Sequence, residues 1–245
     1  MSSRHDDGLE PVLAYHERTK HRFERSAASL GYMDWANQPN PFRTFAGAER
    51  IPLQHPSLRE APSYDSLFES PPPSAEIDLS SVSRLFYHSL ALSAWKQVGQ
   101  SSPWSLRINP SSGALHPTEG YLVCAAIPGL TGEPAVWHYT PFSHALECRC
   151  RMSEEDWSRL TESLPHPCLL IGLTSIYWRE AWKYGERAFR YCHHDLGHAI
   201  GAVAFAARTL GWETSLLSEI GDEDLSRLLG TVLQQGIEAE HADCL

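Results

Sequence analysis

The sequence lacks the features of a membrane-spanning or secreted protein. Its longest apolar runs, such as residues 120–127, are far shorter than the roughly 20 residues that cross a bilayer. The N-terminal stretch MSSRHDDGLEP is polar and contains no apolar segment of the kind found in a secretory signal. Six cysteines in 245 residues, without such a signal, are more typical of reduced thiols than of a disulfide framework. We therefore expect a soluble, cytoplasmic protein.

Positive charge is also scarce. Lysine and arginine total 20 against 30 aspartate and glutamate residues, which gives a net charge of −10. No basic stripe is available to displace counterions from phosphates, so the composition argues against a nucleic-acid-binding protein. A hydrophobic content of 42% and a charged content of 20% are ordinary for a globular protein.

Proline is concentrated in residues 51–78, where its density excludes a regular helix. We interpret this stretch as a linker or wrapping segment and place a domain boundary near Ser74. The predicted units are residues 1–73 and residues 74–245. The first contains a helix and an aromatic-rich arm with Trp35 and Phe42, which need a surface to pack on.

The apolar spacing predicts a mixture of helices and buried strands. Asp78 is a candidate N-cap for the first helix of the second unit, whose pattern closes at Trp95. Residues 238–245 are interpreted as the lead-in to one more strand, so the last strand of the fold is expected to be absent. The predicted helices are 11–30, 79–92, 153–164, 193–210 and 222–230, and the predicted strands are 120–127, 135–139, 146–151, 168–174 and 212–217.

The stretch RINPSSGALHPTEGYLV, residues 107–123, carries the first candidate motif. Gly113 can adopt a positive φ and lets a ligand approach the backbone. A loop of N–H groups and hydroxyls beside a buried strand is suited to holding a planar cofactor, although small polar clusters also form ordinary turns.

A second candidate motif lies in residues 176–212. It contains the run Lys183-Tyr184-Gly185, followed by Arg187 and Arg190, and then a predicted helix rich in glycine and alanine. The two arginines either offset the negative charge of a cofactor or pair with neighbouring glutamates on the surface. Small residues along the helix permit close packing against other helices.

These two motifs resemble the nitroreductase superfamily, and within it the SagB-type branch of peptide azoline dehydrogenases. The first matches the pattern Arg-x-x-Pro-Ser-x-Gly-Ala-x-(His/Tyr)-Pro-x-Glu, which lies against FMN in that branch. The second matches Lys-Tyr-Gly-x-Arg-x-(Tyr/Phe)-Arg, followed by the Asp-x-Gly-His of Asp195 to His198. The resemblance covers about residues 80–230. It implies a nitroreductase-like α+β fold that binds FMN, with a central, mainly antiparallel sheet flanked by helices. The cofactor-binding residues that it implies in the first motif are Arg107, Pro110, Ser111, Ser112, Gly113, Ala114, His116 and Glu119.

The resemblance also implies an activity, the passage of a hydride between flavin and a small or peptide-borne heterocyclic substrate. By carry-over it assigns catalysis to Lys183 and Tyr184. A lysine can take the substrate proton if burial lowers its pKa. Because flavins of this superfamily lie between two subunits, we expect a homodimer or a pseudo-dimer with a second domain of the same kind.

Two other hypotheses remain. The Arg-x-Ser-x-Arg motif that holds the flavin phosphate in smaller members is absent, and Arg84 is a lone basic residue on the corresponding helix. This absence leaves open a degenerate half-domain that acts as a dimerisation or substrate-binding scaffold without flavin. His194 and His198, one helical turn apart, resemble a zinc-protease motif, but without a third ligand we predict no metal site.

Overall fold

A computed structural model describes residues 8–57 and 62–245 of the chain. Residues 1–7, which belong to the polar N-terminal stretch, and residues 58–61 of the proline-rich segment lie outside the described residues. Within the described part, no helix has both the length and the apolar character needed to cross a membrane.

Within the described residues, eight strands form two sheets. They are β1 (Arg50–Pro52), β2 (Leu92–Lys96), β3 (Trp104–Arg107), β4 (Thr118–Cys124), β5 (Ala135–Thr140), β6 (Ala145–Arg151), β7 (Leu169–Ser175) and β8 (His241–Cys244). The main sheet is antiparallel throughout, in the order β1-β6-β5-β4-β7-β8, and β2 and β3 form a separate hairpin. The predicted α+β class with a central antiparallel sheet is confirmed.

Helices cover both faces of the main sheet. They are α1 (Leu9–Thr19), α2 (Ser66–Glu69), α3 (Leu79–Ser89), α4 (Glu154–Leu160), α5 (Tyr177–Tyr184), α6 (Ala188–Thr209) and α7 (Asp222–Leu229). Side chains alternate along β4. Leu122 packs on the face covered by α3 and α6, whereas Tyr121 and Val123 pack on the face covered by α4 and α7.

The predicted start of α3 is confirmed and its predicted end is wrong. The Asp78 carboxylate accepts the backbone N–H of Ser81 at 2.7 Å, and the Ser81 hydroxyl accepts the N–H of Asp78 at 2.9 Å. This reciprocal cap starts the helix. The helix ends at Ser89, and Trp95 lies on β2, because the apolar pattern continues unbroken from the helix into the strand.

Three further boundaries differ from the prediction. Helix α1 ends at Thr19 rather than near residue 30, because the backbone becomes extended at Lys20. Helix α6 begins at Ala188, five residues before the predicted start, directly after the turn at Gly185. The predicted strand 212–217 does not form.

Both predicted units contribute strands to the main sheet. Residues 241–244, predicted as the lead-in to a strand, themselves form β8 and pair with β7. Strand β1 belongs to the predicted N-terminal unit and pairs with β6 through Arg50–Glu147 and Ile51–Leu146. The division of the chain at Ser74 stays a prediction.

The end of α6 is tied to the proline-rich segment through Gly211. This glycine has a φ of +69°, and an added Cβ would meet Pro72 O and lie 2.7 Å from Pro73 O. The backbone N–H of Ala75 donates to Leu210 O at 2.8 Å, and the Trp212 indole donates to Ala75 O at the same distance. The approach of the two backbones therefore requires a residue without a side chain.

We predict that Gly211→Ala destabilises the protein by about 2 kcal/mol more than alanine at a left-handed glycine with open space around it, because the added methyl group overlaps backbone atoms that cannot rotate away. The measurement is the free energy of unfolding in urea. Gly47→Ala is the matched control, since Gly47 has a φ of +79° and nothing within 4 Å of an added Cβ. Equal losses in the two variants would contradict the close approach.

Candidate active site

The first motif folds into a short loop with an unusual backbone. Gly113, Ala114 and His116 have φ values of +66°, +58° and +51°. Residues other than glycine rarely adopt this conformation, and where they do the surrounding structure must hold them. The Ser111 hydroxyl accepts the N–H of His116 at 2.8 Å, and the N–H of Ala114 donates to Ser111 O at 3.1 Å. The loop is thus a rigid bend that leads into β4.

The bend meets the second motif at Gly113. A Cβ added there would lie 2.8 Å from Lys183 Nζ and 2.8 Å from Tyr184 Oη. Seventy residues separate Gly113 from Lys183 in the sequence, so the fold brings the two predicted motifs together. Gly113 is exposed, and Lys183 and Tyr184 are half-buried, which leaves this junction open to a ligand from outside.

Arg179 fixes α5 against the bend. Its guanidinium is almost completely buried, donates to His116 O at 2.6 Å and forms an ion pair with Glu119. Lys183 follows one helical turn later. Arg179 therefore joins the loop, the first residues of β4 and the helix that carries Lys183. Sequence analysis missed this role, because the local pattern around a charged residue does not distinguish a buried anchor from a surface residue.

Glu119 is the centre of a buried charge network. Burial alone would raise its pKa, but Arg179, His138 and Arg107 outweigh it and lower the pKa to about 2. His138 Nε2 lies 3.0 Å from Glu119, and its Nδ1 lies 3.2 Å from Glu147. Burial opposes the charged imidazole, yet hydrogen bonds to the two carboxylates raise the pKa of His138. The site therefore lies beside buried side chains whose positive and negative charges offset one another.

Two residues predicted to bind a cofactor lie inside this network. Arg107 donates to Thr118 O at 2.9 Å and to Pro41 O at 2.6 Å, and burial lowers its pKa to about 10. His116 is buried with its Nε2 3.1 Å from Ser105 O, and burial followed by the charge of Arg107 lowers its pKa to about 3. Arg107, His116 and Glu119 therefore all contact other groups of the protein. Their assignment to a cofactor stays a prediction.

The remaining predicted loop residues lie at the surface of the bend. Pro110 is exposed, and Ser111, Ser112 and Ala114 are half-buried. The N–H of Ser112 donates to both carboxylate oxygens of Asp195, at 3.2 Å each. Two of the amides expected to face a cofactor, those of Ser112 and Ala114, therefore donate to groups of the protein. At Gly113 the bend is exposed to solvent.

Arg187 and Arg190 lie against α1. Arg187 donates to Thr19 O and, at 2.9 Å, to the Tyr191 hydroxyl. Arg190 donates to the Thr19 hydroxyl at 2.9 Å. The sequence offered Glu186 as an alternative partner for them, but Glu186 pairs with Arg18 of α1. Their predicted contact with a flavin stays a prediction, and in this structure they hold the N-terminal helix.

Two acidic residues lie directly behind Lys183. Glu180, on α5, is completely buried, and Asp195, on α6, is almost completely buried. Burial, followed by the charge of Asp195, raises the pKa of Glu180 to about 9. Burial likewise raises the pKa of Asp195, and it raises the pKa of Tyr184 to about 12. The sequence identifies Asp195 through its motif, whereas Glu180 resembles a surface partner for an arginine.

The histidines of α6 face outward. His194 and His198 are exposed. Among residues 8–57 and 62–245, no group of three or more histidine, cysteine, aspartate or glutamate side chains is arranged to hold a metal ion.

Comparison with known proteins defines the class of this fold. No family model matches the chain. The structure is similar to a crystal structure from Anabaena variabilis, provisionally named a nitroreductase, with a TM-score of 0.70 and 28% identity over 95% of this chain and 45% of that chain. A curated Methanocaldococcus jannaschii protein, also provisionally named a nitroreductase, is 28% identical over 127 residues, which are 49% of this chain and 62% of the relative.

Two more distant structures share the fold. The first, from Ralstonia eutropha and provisionally named a nitroreductase, has a TM-score of 0.58 and 13% identity over 82% of this chain and 89% of that chain. The second is the Escherichia coli microcin synthetase McbBCD complex with truncated pro-MccB17 bound. Its TM-score is 0.53, with 17% identity over all of this chain and 81% of that chain.

The chain therefore has a nitroreductase-like fold. It spans less than two thirds of the length of the Anabaena and Methanocaldococcus proteins. The predicted fold is confirmed.

We predict that Gly113→Ala displaces the Lys183 and Tyr184 side chains, because the new methyl group takes the space that their ends occupy. The ring resonances of Tyr184, followed by NMR, are expected to shift. Gly230→Ala is the matched control. Gly230 has nearly the same backbone conformation, with φ +72° and ψ +17° against +66° and +9° at Gly113. An added Cβ at Gly230 would meet no described atom within 4 Å.

Both substitutions place alanine in the left-handed region and are expected to cost about 1–2 kcal/mol of folding free energy. An unchanged Tyr184 resonance in Gly113→Ala would contradict the contact between the two motifs.

Proposed function

We propose that this chain is an FMN-dependent oxidoreductase similar to the SagB-type azoline dehydrogenases. The observation that carries the proposal is the meeting of Gly113 with Lys183 and Tyr184, two motifs that the resemblance assigns to the two sides of a flavin site. The proposed substrate is a small or peptide-borne heterocycle. The similarity to the microcin synthetase complex supports the fold alone. The proposed substrate class is therefore based on the resemblance of the two motifs.

The bend fits one end of the proposed cofactor. Gly113 is exposed and has no side chain, and the ends of Lys183 and Tyr184 fill the space on its Cβ side. The proposed ring therefore approaches the backbone of Gly113 from the side that faces solvent. FMN, when bound, would supply the redox chemistry by accepting a hydride. Ser111 and Ser112 border the same face of the loop and are half-buried.

Lys183 is the proposed base. Removal of a hydride from one ring carbon of an azoline must be matched by loss of a proton from the neighbouring carbon, and an amine beside the bend is placed to take that proton. Among the described residues Lys183 forms no ion pair, so its amine is not committed to a carboxylate. Tyr184, whose hydroxyl reaches the same space, is proposed to hydrogen-bond the substrate.

A second subunit or domain is part of the proposal. Helix α6 exposes His198 and Phe205, and added Cβ atoms at Gly197 and Gly201 would meet nothing within 4 Å. A helix face without side chains at two adjacent turns lets another helix approach closely. We propose that a second copy, or a second domain of the same kind, packs on this face. The matched region is less than half of the Anabaena chain, which is consistent with a second domain.

One observation favours the scaffold hypothesis. Three arginines predicted to contact the flavin, Arg107, Arg187 and Arg190, all donate hydrogen bonds to protein groups. An anion on the cofactor would need other donors, since charge-assisted hydrogen bonds are the strongest anchors of a phosphate. In this alternative the chain binds a partner or substrate without flavin.

The test is titration of the purified protein with FMN, followed by absorbance at about 450 nm and equilibrium dialysis. We expect stoichiometric binding. Lys183→Ala is expected to bind FMN as the unchanged protein does and to oxidise a thiazoline-bearing peptide at least about 100-fold more slowly, because a positioned base contributes at least that factor.

Lys96→Ala removes an exposed lysine on β2 and serves as the control for lost positive charge. A colourless protein that does not retain FMN would contradict the enzyme proposal and favour the scaffold. Unchanged turnover in Lys183→Ala would remove that residue from the reaction.

A further inference from the structure

Glu180 is a completely buried carboxyl group that faces Asp195 and Ser111. It lies on α5, one helical turn before Lys183 and Tyr184, and its exposed fraction is 0%. Neither of its oxygens forms a hydrogen bond of ordinary geometry with the described residues. A buried carboxylate that is neither paired nor hydrogen-bonded costs much free energy, whereas the protonated acid costs far less. The surroundings therefore favour the protonated form.

The groups that face Glu180 come from three elements. Asp195 and Cys192 approach it from α6, Lys183 and Tyr184 from its own helix, and Ser111 from the bend. Asp195 is already hydrogen-bonded to the N–H of Ser112, which favours its ionised form. Two neighbouring buried carboxyl groups do not both ionise readily, so the pair holds one proton, and Glu180 is the member that keeps it.

The protonation of Glu180 matters for the position of Lys183. An ionised carboxylate at this position would attract the Lys183 ammonium group into an ion pair, since oppositely charged groups three residues apart on a helix are neighbours. A neutral carboxylic acid exerts no such attraction. Lys183 Nζ instead lies at the bend, where an added Cβ on Gly113 would be 2.8 Å away.

We propose that Glu180 is a positioning residue that stays protonated beside Asp195 in the folded protein and thereby leaves the Lys183 amine free to face the bend at Gly113. The inference rests on the proposed function only in assigning Lys183 as the base of the reaction. The protonation itself is a property of the folded chain and is measured without cofactor or substrate.

The first test is the free energy of unfolding in urea between pH 5 and pH 9, for the unchanged protein and for Glu180→Gln. A carboxyl group whose folded-state pKa lies near 9, against 4.5 for its ordinary value, binds its proton more tightly in the folded state. Its contribution to stability is therefore present at low pH and is lost as the pH rises through this window. Glutamine, which is neutral throughout, has no such dependence.

Relative to Glu180→Gln, the folding equilibrium constant of the unchanged protein is expected to fall by up to about tenfold for each pH unit in that window. Glu162→Gln, at an exposed position, is the control and is expected to follow the unchanged protein. Parallel curves for Glu180→Gln and the unchanged protein would overturn the proposal.

A second variant keeps the test decisive if Glu180→Gln fails to fold. Asp195→Asn removes the neighbouring negative charge, so Glu180 is expected to ionise at a lower pH. In Asp195→Asn, the free energy of unfolding should therefore stop falling at a lower pH than in the unchanged protein. If that pH is the same in the two proteins, Glu180 and Asp195 do not share a proton.

The second test concerns Lys183 directly. We expect the acylation rate of Lys183 relative to exposed Lys96, followed by mass spectrometry, to fall above about pH 9 in the unchanged protein, because ionised Glu180 then pairs with the amine. The ratio should stay constant in Glu180→Gln. Equal ratios in the two proteins would show that Glu180 does not position Lys183. Neither test uses FMN or turnover, so failure here is distinct from failure of the proposed enzyme activity.

Discussion

The buried ion pair between Arg179 and Glu119 is the interaction on which the geometry of this site depends. Glu119 lies at the start of the central strand β4, and Arg179 lies on the helix that carries Lys183. Arg179 also donates to the carbonyl group of His116, in the strained part of the loop. One guanidinium thus connects α5 with the loop and the start of β4, which lie 60 or more residues earlier in the chain. Buried ion pairs contribute little net stability, but they fix geometry because an unpaired buried charge is costly.

The bend depends on this anchoring because its backbone is unfavourable by itself. Ala114 and His116 occupy the left-handed region, where a residue with a side chain is strained. Ser111 accepts hydrogen bonds from the N–H groups of both residues, and Arg179 donates one to His116 O. The N–H of Ser112 donates to Asp195. The result is an exposed glycine with a lysine and a tyrosine beside it. Rigid placement of this kind is what a site needs when the reacting groups must be aligned before the reaction.

The sequence predicted the elements better than the contacts of its charged residues. The apolar runs that form β4 and β7, the Asp78 cap and the two motifs were all recognisable, because apolar periodicity and turn chemistry are local signals. Whether a charged residue faces a ligand or another buried charge is decided by distant segments. Arg187, predicted to contact a flavin, donates to Thr19, more than 160 residues away. Trp95 was placed on a helix because β2 continues the apolar pattern of α3.

The most direct test of the central claim is a double-mutant cycle on Arg179 and Glu119, measured as free energies of unfolding in urea. The single variants Arg179→Met and Glu119→Gln each leave one buried charge without its partner, at a cost of about 3 kcal/mol or more. Because the double variant removes both charges, we predict that it is destabilised by at least about 1 kcal/mol less than the sum of the single losses. Additive losses would contradict the claim that this ion pair holds α5 against the bend.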